Sequence, residues 1–181
     1  MKRRAFLFQS GSLAVASLPL TGLTGCGRKQ AGTADLPDTV WRTLAAVHAH
    51  LFPSETAAPG AAELDTLGYL KAALDVPGFD PAERAAIVQG AEAVETQAKT
   101  HTGKSFAELA EAEREAVLRA VEATDAGRTW LTGMLNYLVE ALLADPVYGG
   151  NPNGIGWRWL DHNPGFPRPP AGKRWFLLKS I

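Results

Sequence analysis

The chain has 181 residues, with 18 Lys plus Arg against 19 Asp plus Glu and a formal net charge of −1. That length suits one domain with a real core, and the balanced, unclustered charge excludes a nucleic-acid footprint, which needs basic residues gathered on one surface. The single cysteine, Cys26, excludes an internal disulfide, a cysteine-built zinc or iron–sulfur centre and a Cys-x-x-Cys-His haem attachment.

Residues 1–25 read as a targeting segment rather than as part of the fold. Lys2, Arg3 and Arg4 make a basic start, and Arg3-Arg4-Ala5-Phe6-Leu7 matches the twin-arginine pattern, with Phe6 and Leu7 at its apolar places. Phe6 to Leu23 is diluted by Gly11, Ser12, Ser17 and Pro19, a poor match to the roughly 20 predominantly apolar residues of a membrane-spanning helix. An ordinary secretory signal with a chance Arg pair is the competing reading. Leu23-Thr24-Gly25-Cys26 resembles a bacterial lipobox, which makes Cys26 a lipidation site and explains a lone thiol in an exported protein. Cleavage there removes three basic side chains and no acid, so the body is mildly acidic. Residues 26–37 are polar and contain helix breakers, as a tether does, and 38–181 form the domain. The expected location is the periplasm, with the chain exported by the twin-arginine route and held at the membrane by lipid.

The body predicts an all-α fold, a single irregular bundle of about five to six helices with an extended Pro/Gly-rich C-terminal segment. Asp38 is placed to cap a helix over 39–51, in which Val40, Leu44, Val47 and Leu51 recur at helical spacing. Pro59-Gly60 is a turn, and 61–74 reads as a second helix with Leu64, Leu67 and Leu70 inward and Gly68 at a close contact. Asp80-Pro81-Ala82-Glu83 opens a third as cap, first-turn proline and capping-box glutamate; Thr102-Gly103 stops it, and its polar character predicts an exposed outer face. Residues 105–109 make a short helical turn, 111–123 a fourth helix with Val117, Leu118 and Val121 inward. Thr124 or Asp125 caps the most apolar helix, 127–144. Trp130, Leu131, Met134, Leu135, Leu138, Val139, Leu142 and Leu143 cover more than one of its faces, which predicts a central position. Only the last few residues of the chain alternate as a strand would. From Asn163 to Pro170 the chain is extended and needs a surface to lie on.

The run Asp145 to Leu160 is built to stop that last helix. Pro146 cannot donate a helix hydrogen bond and turns Asp145 away from α geometry. Gly149, Gly150 and Asn151 tolerate left-handed backbone, and Gly156 adds a position without a side chain. Tyr148, Trp157, Arg158 and Trp159 set large surfaces with polar handles among these turns. This run, with Leu51-Phe52-Pro53 and Pro59-Gly60-Ala61, resembles the gluconate 2-dehydrogenase subunit 3 family, and the resemblance covers roughly residues 38–167. It implies the small subunit of a periplasmic flavin-dependent sugar or alcohol dehydrogenase. The implied partners are a large flavoprotein subunit, which carries the FAD, and a separate cytochrome c subunit. The small chain itself holds no cofactor and brings the export signal that its folded partner lacks. Asp145, Pro146, Tyr148, Gly149, Gly150, Asn151, Gly156, Trp157, Arg158 and Trp159 are then the expected partner-binding residues. The alternative is that Tyr148 and Trp157 fold back and seal the end of their own bundle.

Independent chemistry has little footing in the sequence. His48 and His50 are two apart on a helix and face different ways. His162 follows Asp161 in the tail, a weak acid–base candidate beside tryptophans. Glu108, Glu111, Glu113 and Glu115 read as a solvated face. No Gly-x-Gly-x-x-Gly follows a strand and no Gly-x-Ser-x-Gly elbow occurs. Two other functions stand beside the small-subunit reading: an autonomous helical envelope lipoprotein that scaffolds an unrelated complex, and a small enzyme built on Asp161 and His162.

Overall fold

The structure, a computed structural model, describes residues 36–178; Arg3, Arg4, Phe6, Leu7 and Cys26 lie outside the described residues. Six α-helices are present there: α1 Asp38–Leu51, α2 Thr66–Leu74, α3 Pro81–Thr102, α4 Glu111–Glu122, α5 Asp125–Leu143 and α6 Ile155–Trp159. Among the described residues the only β pairing is an isolated bridge between Glu55 and Ala58. The all-α bundle is as the periodicity predicts. α3 packs on α4 and α1, and α5 on α2 and α4.

The apolar rows close on one core. Val40, Leu44 and Val47 of α1 meet Leu70 and Leu74 of α2, Ile87, Ala91, Val94 and Ala98 of α3, and Val117, Leu118 and Val121 of α4. Phe106, in the 3-10 turn Phe106–Glu108, is wholly buried, and burying an aromatic of that size contributes on the order of 2–3 kcal/mol. Its turn is held from α3: the Glu95 carboxylate accepts from the Phe106 N–H at 3.0 Å, Ser105 Oγ at 3.2 Å and Thr43 Oγ1 at 3.3 Å. Gly90 of α3 leaves room for the Trp130 indole, since a Cβ there would sit 2.1 Å from the ring; Trp130 Nε1 donates to the Ile87 carbonyl at 3.2 Å.

Local chemistry sets the helix ends, and it departs from expectation at several of them. Asp38 is the first residue of α1, after Pro37, and caps nothing; its charge lies at the positive end of the helix dipole instead. The second helix starts at Thr66, not Ala61, because Asp65 adopts φ 49 and its side chain accepts from Gly68 N. Gly68 is close-packed, as expected, but against that capping carboxylate rather than a neighbouring helix. Asp80 caps α3 by accepting from Ala82 N at 2.8 Å, with Pro81 next. Glu83 does not complete a capping box; it accepts the Tyr137 hydroxyl of α5 at 2.7 Å. Thr124, rather than Asp125, caps α5 through Gly127 N at 3.0 Å.

The largest correction concerns α5. It buries Trp130, Leu131, Met134, Tyr137, Leu138 and Ala141, but Leu135, Val139 and Leu143 are 45, 52 and 42% exposed. The helix is apolar on two sides and covered on one.

Candidate functional site

α5 ends at Leu143, leaving carbonyls with no partner further along the helix. The loop that follows is folded to meet them. Trp157 Nε1 donates to the Leu143 carbonyl at 2.8 Å, and Asn151 Nδ2 to the Ala144 carbonyl at 3.1 Å. Asn151 Oδ1 accepts the Gly156 N–H at 2.7 Å, and the Asn151 N–H reaches the Leu64 carbonyl ahead of α2 at 2.7 Å. This wholly buried asparagine, at φ 46, thereby joins the entrance of α2, the end of α5 and the start of α6. Gly156 must be glycine here, because a Cβ would stand 2.5 Å from the Leu142 carbonyl.

The residues expected to bind a partner fall into three groups. Gly150, Asn151, Gly156 and Trp157 are buried within the chain itself. Asp145, Pro146, Tyr148 and Gly149 are half-buried. Asp145 accepts from Val147 N at 3.0 Å and takes both arms of Arg168, at 2.8 and 3.1 Å. Those hydrogen bonds hold its carboxyl below the usual aspartate range. Arg168 also lies 5.0 Å over the Trp157 ring, so the C-terminal segment is fastened to the loop at two points. Arg158 and Trp159 are exposed. Arg158 donates back to the Asn153 carbonyl, and Trp159 stands edge-on to Phe52 at 6.1 Å.

The exposed row on α5 ends at this loop, where Leu143 lines a recess with Asp145 and Trp157. Leu135, Val139 and Leu143 are spaced four apart, so they line one side of the helix. Leu143 and Phe166, the latter 95% exposed, flank one recess, and Leu160 is also exposed. Sequence periodicity registers these residues as apolar but cannot tell a covered apolar face from an uncovered one.

The histidines separate as their spacing predicts. His48 is buried and its Nδ1 donates to Thr66 Oγ1 at 3.0 Å, while that hydroxyl donates to the Ala61 carbonyl at 3.3 Å. Burial lowers its pKa to about 4, so it packs as neutral imidazole. His50 is half-buried, 2.9 Å from Glu115. Asp161 and His162 are both exposed. Of the four glutamates read as a solvated face, Glu108 and Glu113 accept from the Ser105 and Ala110 N–H groups and so fasten helix starts. Among the described residues no three His, Cys, Asp or Glu side chains gather as a metal site, and no helix is long and apolar enough to cross a membrane.

Comparison with curated proteins found no match, and comparison with solved structures found none either. The family model of Gluconate 2-dehydrogenase subunit 3 matches residues 38–165, from the first turn of α1 to just past α6, and so spans the bundle, the capping loop and more than half of the chain. The chain belongs to the gluconate 2-dehydrogenase subunit 3 family, and its place is that of a subunit in a dehydrogenase complex.

Proposed function

We propose that this chain is the non-catalytic small subunit of an exported, membrane-associated flavin-dependent dehydrogenase acting on a sugar, sugar acid or polyol. It docks on a large FAD-bearing subunit, stabilises it and supplies its export signal. Electrons would leave the complex through a separate cytochrome c subunit. The observation that carries the docking is the row Leu135, Val139 and Leu143, exposed along α5 up to the loop, whose Trp157 is committed to the bundle. Apolar surface left in one row on a closed bundle marks a place where another surface is buried. Trp159 and Arg158, exposed at the same end of the molecule, are the residue types that anchor interfaces. The sequence supports the remaining parts of this reading: Arg3, Arg4, Phe6 and Leu7 for twin-arginine export, Cys26 for a lipid anchor.

Co-expression with the large subunit tests the docking. Leu135→Ser with Val139→Ser removes exposed apolar surface without opening the core, so the melting temperature of the small subunit should stay nearly unchanged. Recovery of the large subunit with it should fall by about tenfold or more, since truncated anchors cost about 2 kcal/mol or more. Undiminished recovery would place the contact elsewhere.

A further inference from the structure

A cleft of about 540 Å³ lies between α2, the start of α3 and α5, and the C-terminal residues Arg174, Trp175 and Phe176 line its other side. Two carboxylates face it. Glu83 accepts the Tyr137 hydroxyl at 2.7 Å, and Glu140 the Tyr69 hydroxyl at 3.1 Å. None of the ion pairs among the described residues involves either glutamate. Among the described residues that line it the only cation is Arg174, which stacks on Phe176 at 4.9 Å and whose buried Nε meets no partner among them.

The hydrogen-bonding capacity left over points to a particular chemistry. The Tyr69 and Tyr137 hydroxyl hydrogens are already committed to the carboxylates, and Tyr148 Oη accepts from Trp175 N at 3.4 Å. Burial first and the nearby glutamates second raise both tyrosines, Tyr69 to about 12, so they remain protonated donors. The unspent groups are weighted toward carboxylate lone pairs and negative charge. A sugar acid would be repelled by them. A neutral polyol brings as many acceptors as donors and leaves its acceptors unmatched. A guanidinium or ammonium brings only donors and a positive charge, and an aromatic wall such as Trp175 favours it further. The volume exceeds such a head group and admits its stem and adjoining backbone.

We propose that this cleft receives a basic side chain, arginine by preference, from the polypeptide docked on this subunit. The inference rests on the docking reading above and names one of its contacts.

Titration of the complete chain with N-acetyl-arginine amide, and with the citrulline amide as its uncharged match, tests the chemistry through tryptophan fluorescence and the Trp175 indole NMR signal. The arginine probe should saturate, and the citrulline probe should bind about tenfold more weakly or less. Glu83→Gln with Glu140→Gln keeps an acceptor for each tyrosine and should abolish that preference without lowering the melting temperature. If the double variant melts early, the two single variants decide instead. Equal binding of the probes, no binding of either, or a preference that survives the substitutions overturns the proposal. Adding the large subunit tests the source. A complex that forms and blocks the probe supports it. A complex that forms and leaves the cleft open to the probe overturns the cleft assignment alone, whereas failure of any complex to form overturns the docking reading.

Discussion

At the scale of single residues, burial decides roles that residue type leaves open. His48 is ordinary in sequence, yet burial lowers its pKa from 6.5 to about 4. The unfolded chain then binds a proton in this range that the folded chain refuses, so stability falls as pH drops below 6.5 and levels off below 4. The loss amounts to roughly 3 kcal/mol at most. Glu63, Glu95, Glu115 and Asp145 have lowered values as well, but their contributions fade only as pH falls toward and below the ordinary carboxylate range. The decline between pH 7 and pH 5 therefore belongs to His48. Urea midpoints at those two pH values should differ for the wild type and differ much less for His48→Gln; an equal decline in both would remove His48 as the cause. Glu95 makes a related point. It sits on a helix that reads as polar, and only the fold shows its carboxylate gathering Thr43, Ser105 and the Phe106 N–H.

Between elements, the loop from Asp145 to Leu160 acts first on its own bundle. Its breakers, Pro146, Gly149, Gly150 and Asn151, are legible in the sequence because they act through their own backbone angles. The alternative that Trp157 folds back on its own bundle is the one the structure shows, but the Leu143, Ala144 and Leu64 carbonyls that Trp157 and Asn151 meet carry no residue signature. Asn151→Ala would leave a half-buried carbonyl and a buried N–H unpaired and place a Cβ residue without that side chain at φ 46. The expected cost is about 2 kcal/mol or more. Trp159→Ala, at an exposed position, should leave the melting temperature nearly unchanged. Equal melting of Asn151→Ala and wild type would mean that the loop does not hold the helix ends. The same division explains the shortened α2. Leu64 keeps its inward place, but Asp65 in left-handed geometry delays the helix by five residues relative to the expected start at Ala61.

For the whole molecule, the family places the chain in a dehydrogenase complex, and the N-terminal pattern extends the proposal to export. If the twin-arginine pair serves both subunits, Arg3→Lys with Arg4→Lys should retain this chain and its large subunit together in the cytoplasm, as cell fractionation would show. A large subunit that reaches the periplasm while this chain stays behind would sink that part of the reading. By itself the sequence determined what acts over short range: the helices, through apolar rows at a spacing of three to four; the start of α3, through Asp80-Pro81; and the loop breakers. The tertiary structure alone decided which apolar rows are covered. Leu138 and Leu135 are the same residue three positions apart on α5, one 4% and the other 45% exposed. Hydrophobicity is a property of the side chain, but burial belongs to whatever packs against it, and that is set by elements distant in the chain. The cleft among α2, α3, α5 and the C-terminal segment arises in the same way, because Glu83, Glu140 and Trp175 become neighbours only once the bundle has closed.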